Sequence, residues 1–209
     1  MEKSRCVVVG AAPMEEVDFL RSQIGPQDFV ICADGGYRHL QKAGITPDLL
    51  MGDLDSIDVL PANIPTVKFD PVKDDTDTRI ALKEGLRRGF EDFLILGGTG
   101  ARLDHTIANL QNLFYLKAQG ASGVLADAST RAFMLQDEEV LLPDEGYRYL
   151  SVFSFTPQCL GVSLQGVKYP LSGYTMESHF PIGVSNEFTD ICCKIGVKQG
   201  VLLVLLVRE

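Results

Sequence analysis

Aspartates in short clusters carry the chemistry of this sequence. Asp53 and Asp55 stand in Gly52-Asp53-Leu54-Asp55-Ser56. Alternate side chains of an extended segment point the same way, so these two carboxylates can converge on one cation. Asp74, Asp75 and Asp77 follow in Lys73-Asp74-Asp75-Thr76-Asp77, at a predicted helix start, and Asp34 precedes two glycines after an apolar run. Hard oxygen ligands of this kind suit Mg²⁺, which binds through one or two carboxylates plus substrate phosphates and keeps several waters. Like charges held close together are costly unless a cation compensates them. An Asp at a helix start also serves as an N-cap worth about 1 kcal/mol. For Asp74, Asp75 and Asp104 that structural role stands beside the functional one.

A second cluster is Gly97-Gly98-Thr99-Gly100-Ala101-Arg102-Leu103-Asp104-His105, which follows an apolar run and opens a helical pattern. Glycines let backbone N–H groups approach phosphate oxygens, and a helix N-terminus adds favourable potential. The segment is neither GxxxxGK[ST] nor GxGxxG with a distal acid, so it is not a P-loop or dinucleotide fingerprint. Arg102 could pair bidentately with a phosphate or stand as a surface arginine, and His105 could bond a nucleotide or cap and pack. Further on, Ser185-Asn186 lies between strand-like runs, where a turn is the usual role of such a pair.

The elements that would position these residues alternate in the first part of the chain. Cys6–Val9, Phe29–Ala33, Asp48–Met51, Thr66–Phe69, Phe93–Leu96 and Gly123–Ala126 are short apolar runs, several ending in Gly or Asp. Continuous rather than alternating apolarity predicts buried strands. Between them, Val17, Leu20 and Ile24 share a helical face, as do Leu82 and Leu86 within a segment from about Thr76 to Arg88. Leu103, Ile107, Leu110 and Phe114 recur at i, i+4, i+7 and i+11, on one face of a further helix. Strand–helix alternation predicts a mostly parallel α/β sheet, whose ligands bind outside the carboxyl ends of the strands.

After about residue 128 the pattern changes. Arg131–Leu135, Glu139–Leu142, Tyr147–Phe155, Leu160–Leu164, Asp190–Val197 and Val201–Val207 are strand-like runs punctuated by glycines, which predicts an antiparallel β-domain. Lys198-Gln199-Gly200 reads as the turn of a terminal hairpin. The expected domains are residues 1–128 and 129–209.

Composition narrows the function classes. The 209 residues are 45% hydrophobic and 22% charged, which suits a packed globular protein and not a disordered one. A net charge of −9 argues against nucleic-acid binding, although a cation can still bridge the chain to a polyphosphate. The five cysteines, Cys6, Cys32, Cys159, Cys192 and Cys193, show no CxxC spacing, so a reduced, cytoplasmic protein is expected. The longest apolar run, Val201–Val207, is far short of the roughly 20 residues that span a bilayer, and the first residues have no signal-peptide core.

Taken in order, Ala33-Asp34-Gly35-Gly36, Gly44-Ile45-Thr46-Pro47-Asp48, Gly52-Asp53-Leu54-Asp55-Ser56, Asp74-Asp75-Thr76-Asp77 and the Gly97–His105 segment resemble the motifs of the thiamine pyrophosphokinases, and Ser185-Asn186 resembles the Ser-Asn of their second domain. The resemblance implies a Rossmann-like mostly parallel sheet domain followed by an antiparallel β-sandwich. It implies a Mg²⁺-dependent transfer of the diphosphoryl group of ATP to the hydroxyl of thiamine, giving thiamine diphosphate and AMP. Asp53, Asp55 and Asp77 would hold Mg²⁺ and the triphosphate. Near the attacking hydroxyl, Asp75 or Asp77 would accept its proton, with Asp74 a candidate behind them. Asp34, Gly35, Gly36, Thr76, Gly97, Gly98, Thr99, Arg102, Asp104 and His105 would form the nucleotide pocket, and Ser185 and Asn186 would contact thiamine. The resemblance further implies a homodimer with its active sites between the subunits. Many relatives set a Trp against the thiamine rings; this chain has none, and Tyr169, Tyr174 or Phe188 would be the stacking face. Two other functions fit the same residues: a non-catalytic nucleotide- or thiamine-binding regulator, and a metal-dependent phosphohydrolase.

Overall fold

A computed structural model of the chain describes residues 3–14, 16–53, 63–68, 75–100 and 102–208. The chain divides into two compact units, Met1–Ala128 and Ser129–Glu209.

In the first unit the apolar runs become β1 (Arg5–Val9), β2 (Asp28–Ala33), β3 (Leu49–Gly52), β4 (Thr66–Lys68), β5 (Asp92–Leu96) and β6 (Ser122–Ala126). They pair in parallel in the order β4-β3-β2-β1-β5-β6. The β-branched content of β1 and β2 suits the buried pleat, and Val7, Val9, Val30 and Cys32 share one core with Leu94 and Leu96. β4 departs from the expected buried strand: all three of its residues are exposed, because it is the edge of the sheet. The connecting helices are α1 (Val17–Gln23), α2 (Tyr37–Ala43), α3 (Asp77–Arg87) and α4 (Leu103–Ala118). α2 is absent from the sequence reading; its two buried residues, Leu40 and Ala43, are too few for a periodic signal, and Gly44 in the left-handed region ends it.

α4 corrects the sequence reading more sharply. Leu103, Ile107 and Phe114 share a face as the spacing requires, but that face is exposed, Leu103 by 74%. The buried positions are Asn109, Asn112, Leu113 and Leu116. The helix carries two faces with apolar content, and the one packed toward β6 includes two amides.

The second unit contains β7 (Thr130–Gln136), β8 (Glu139–Pro143), β9 (Tyr149–Ser154), β10 (Gln158–Gln165), β11 (Leu171–Glu177), β12 (Cys192–Gly196) and β13 (Val201–Val207). All pairings within it are antiparallel, giving β7-β13-β9 and β11-β10-β12-β8. Leu150, Val152, Leu202 and Val204 of the first group share one core with Val162, Leu164 and Ile195 of the second, a β-sandwich. The expected terminal hairpin is not formed. β12 and β13 belong to different groups, so Lys198-Gln199-Gly200 carries the chain from one layer to the other. β11 escapes the sequence reading because its pattern, with Ser172, Gly173 and Thr175, lacks an apolar run.

Candidate active site

The carboxyl ends of β1, β2, β3 and β5 meet where the order of the parallel strands reverses between β1 and β5, the place an open α/β sheet offers a ligand. Their loops touch through backbone. Gly10, after β1, donates its N–H to the Leu96 carbonyl at 2.8 Å, and Ala12 donates to the Gly97 carbonyl at 3.0 Å. A Cβ on Gly10 would lie 2.6 Å from the Gly97 oxygen, so no side chain fits at that crossing. Gly36 is closed in the same way against the Val9 carbonyl. Local sequence marks Gly10 only as the residue after the apolar run Cys6–Val9; its place at this loop crossing comes from a contact across 87 residues of chain, which no local motif encodes.

Asp34 follows β2 with φ at +44°, in the left-handed region that Asp tolerates better than most residues but still at a conformational cost. It opens a 3₁₀ turn, Asp34–Gly36. The next strand end lies against it: a Cβ on Gly52 would be 3.0 Å from the Asp34 Cα. Asp53, half-buried, follows directly. Asp34 and Asp53 therefore leave neighbouring strand ends whose backbones are in contact. Asp55 and Asp74 lie outside the described residues. Among the described residues, no group of three His, Cys, Asp or Glu side chains surrounds a point a metal ion could occupy.

Asp77 is the first residue of α3, and Thr76 caps that helix by accepting from the Arg79 N–H at 3.2 Å. Asp75 forms an ion pair with Lys83 one face along the helix. In the glycine-rich loop, the Thr99 hydroxyl donates to Asp127 at the end of β6, at 2.6 Å. Arg102 and Asp104 are engaged with each other, Nη2 to Oδ2 at 2.6 Å and Nε to Oδ1 at 3.2 Å, in an exposed bidentate pair at the start of α4. The Arg102 hydrogen bond holds the Asp104 carboxyl below its usual range, and Asp104 raises the guanidinium in turn. The His105 N–H also donates to Asp104, at 3.0 Å, and its ring is exposed.

The donor set fits Mg²⁺ better than a softer metal. Its members at the strand ends are carboxylates, and Cys32, on β2, is a buried thiol whose pKa desolvation pushes far up, so it offers no thiolate.

In the second unit the Ser-Asn pair divides its work. Ser185 is exposed with φ at +57°, and its N–H donates to the Ser151 hydroxyl at 3.0 Å. Asn186 is only 3% exposed. Its Oδ1 accepts from the Tyr169 N–H at 2.9 Å and the Glu187 N–H at 3.0 Å, while its Nδ2 donates to the Tyr169 carbonyl at 2.8 Å. Asn186 thus clamps Tyr169 in place, beside a cavity of about 250 Å³ lined by Tyr169, Pro170, Ile182 and Val184. Of the three aromatics the sequence offered for stacking, Tyr174 and Phe188 pack against the sandwich core, whereas Tyr169 is 60% exposed at the cavity.

Among the described residues no helix is long and apolar enough to cross a membrane, and all five cysteines are free.

Comparison with known proteins adds two family models in chain order: the thiamin pyrophosphokinase catalytic domain over residues 20–125, and the thiamin pyrophosphokinase vitamin B1 binding domain over residues 138–202. The thiamine pyrophosphokinase of Bacillus subtilis (strain 168) is 26% identical over 212 residues, covering 95% of this chain and 96% of that one. The crystal structure of thiamine pyrophosphokinase from Bacillus subtilis matches with a TM-score of 0.91 at 25% identity, over 99% of this chain and 100% of that one. Yeast thiamin pyrophosphokinase, at 16% identity, shares the fold with a TM-score of 0.76 over 99% of this chain and 87% of that one.

Proposed function

We propose, for a chain that belongs to the thiamin pyrophosphokinase family and is a diphosphotransferase, that it moves the diphosphoryl group of ATP to the hydroxyl of thiamine. The observation that carries this reading is the succession of a catalytic and a vitamin B1 binding model along one chain, at residues 20–125 and 138–202. The thiamine hydroxyl attacks the β-phosphorus in line, the bond from that phosphorus to the α-phosphate oxygen breaks, and AMP leaves. Such transfers need positioning and charge neutralisation rather than a covalent nucleophile, in keeping with a site built of carboxylates and backbone N–H groups.

Asp53 and Asp77, with Asp55, would hold Mg²⁺; bound there, the ion neutralises charge on the triphosphate. Asp34, Gly35, Gly36, Thr76, Gly97, Gly98, Thr99, Arg102, Asp104 and His105 form the nucleotide pocket in this reading. Backbone crossings that leave no room for a Cβ at Gly10 and Gly36 set the loops that face the phosphates in this reading. Arg102 has to exchange its Asp104 partner for a phosphate, or share it. Asp77, or Asp75 with its Lys83 partner, accepts the hydroxyl proton. Ser185 and Asn186 meet thiamine, and Asn186, which lines the cavity, also holds Tyr169, whose exposed ring takes the place of a Trp against the thiamine rings. The protein works in the cytoplasm as a homodimer whose sites combine the first unit of one subunit with the second unit of its partner. Support for that assembly is the exposed apolar stripe of Leu103, Ile107 and Phe114 on α4 and the exposed Phe180, Ile182 and Val184 of the second unit.

Incubation with ATP, Mg²⁺ and thiamine, followed by mass analysis, tests the reading. Thiamine diphosphate and AMP should appear in equal amounts and vanish with excess EDTA. Nucleotide breakdown that needs no thiamine would make the protein a hydrolase. Binding of thiamine or nucleotide without product would make it a regulator.

A further inference from the structure

Asn109 and Asn112 occupy two of the four buried positions of α4, at 5% and 4% exposure, beside Leu113 and Leu116. Leucines there would be better helix formers and would bury no amide. The amides are instead linked in one direction. Arg79 Nη1 donates to Asn112 Oδ1 at 3.1 Å, Asn112 Nδ2 donates to Asn109 Oδ1 at 3.1 Å, and Asn109 Nδ2 donates to the Gly98 carbonyl at 2.8 Å. The direction is fixed at both ends, since a guanidinium only donates and a carbonyl only accepts. Neither amide can turn over without setting like against like at its neighbour. Arg79 is held over the Tyr115 ring, with its central carbon 3.3 Å from the ring centroid. Its Nε is buried with no hydrogen-bond partner among the described residues, so the Asn112 bond and the ring fix the guanidinium.

The ends of this chain of bonds are the two halves of the candidate site. Arg79 lies in the first turn of α3, which carries Asp77 and is capped by Thr76. Gly98 lies in the glycine-rich loop between β5 and α4. We propose that Arg79, Asn112 and Asn109 are positioning residues, a strut that sets the glycine-rich loop at a fixed distance from the start of α3. In the proposed reaction, on which the functional part of this inference rests, that distance separates the nucleotide from the carboxylate that meets the hydroxyl. Buried hydrogen bonds in series polarise and stiffen one another, and a shift of order 1 Å between reacting groups can lower a rate about 100-fold.

Two variants separate a strut from local packing. Asn112→Asp still accepts from Arg79 but cannot donate to Asn109, so it cuts the strut while keeping its charged end paired. Arg79→Met removes the donor and keeps the stem over Tyr115. Each leaves a buried amide oxygen without its donor, so each is expected to fold with a thermal midpoint lowered by a few degrees and to speed hydrogen exchange of the Gly97–Gly100 amides about tenfold, the effect of losing one hydrogen bond. Each should lower kcat about 10- to 100-fold with KM for thiamine within about threefold. The double variant should be no slower than the slower single one, because one strut cannot be cut twice. Unchanged loop exchange overturns the strut, and unchanged kcat or multiplying single effects overturn its role in turnover. If Asn112→Asp does not fold, the loop exchange and kcat of Arg79→Met decide alone. A wild type that makes no thiamine diphosphate sinks the proposed reaction instead, and the exchange measurement still decides the strut.

Discussion

Asp53 stands at the end of a parallel strand whose backbone touches the Asp34 turn, which is where the proposed Mg²⁺ site needs a carboxylate. Asp53→Asn is expected to lower turnover on the order of 100-fold, the scale of removing one preorganised electrostatic partner of the transition state. The Mg²⁺ needed for half-maximal rate should rise, measured by initial rates across a Mg²⁺ titration with the thermal midpoint unchanged; an unaltered Mg²⁺ requirement would remove Asp53 from the ligand set. Glu84, on α3 away from the site, carries a different kind of charge interaction. Hydrogen bonds from Arg87 and Arg88 depress its pKa from 4.5 to about 2. A depressed carboxylate pKa stabilises the fold fully above the unfolded value and loses that contribution as pH falls through the folded one. The midpoint difference between wild type and Glu84→Gln should therefore be constant above about pH 5 and close between 4.5 and 2. Arg87 is well exposed to solvent, so screening keeps the contribution of its pair with Glu84 small.

Elements were legible in the sequence where one local rule decided them, and illegible where a distant contact did. β1, β2 and β5 read as buried strands because every residue in the runs is apolar, and α3 read as a helix because Leu82 and Leu86 fall on one face. The exposure of β4 depends on its being the sheet edge, which four residues of sequence do not reveal. On α4 the apolar period was real but marked the outward stripe, since the inward face spends two of its positions on amides. Of the candidate site, the aspartates and the glycine-rich loop were visible as residue types; Gly10 and the Asn109–Asn112 pair were not, because their partners lie on other elements. Gly10 offers an element-scale prediction. Gly10→Ala pushes a methyl toward the Gly97 carbonyl and should cost about 1–3 kcal/mol, as overpacking does, while also moving the loop and lowering turnover. Gly44→Ala, at a helix end with φ at +68° and nothing within 4 Å, should cost about 1 kcal/mol of backbone strain and leave turnover intact. Thermal melts and initial rates on the pair separate a crossing of loops from a simple left-handed cap.

At the scale of the whole molecule, the first unit offers carboxylates and a glycine-rich loop, and the second offers Ser185, the Tyr169 ring and its cavity. Each unit also exposes large apolar side chains that a lone chain would leave in water, Leu103 and Ile107 in one, Ile182 and Val184 in the other. A two-fold dimer buries the same patches on both copies and closes on itself. The proposed homodimer then predicts that defects in different units complement each other. Asp53→Asn damages only the first unit of a subunit, and Tyr169→Ala only the second. In a mixed dimer, one of the two sites pairs two damaged units and the other pairs two intact ones. After exchange of subunits, half of the dimers are mixed and half of their sites are whole, so the mixture should recover about one quarter of wild-type turnover although each parent is nearly inactive. Sedimentation velocity on the same samples should give a species of twice the 22.9 kDa chain. Recovery that stays at the mean of the two parents, with a dimer present and subunits exchanged, would mean that each site is completed within a single chain.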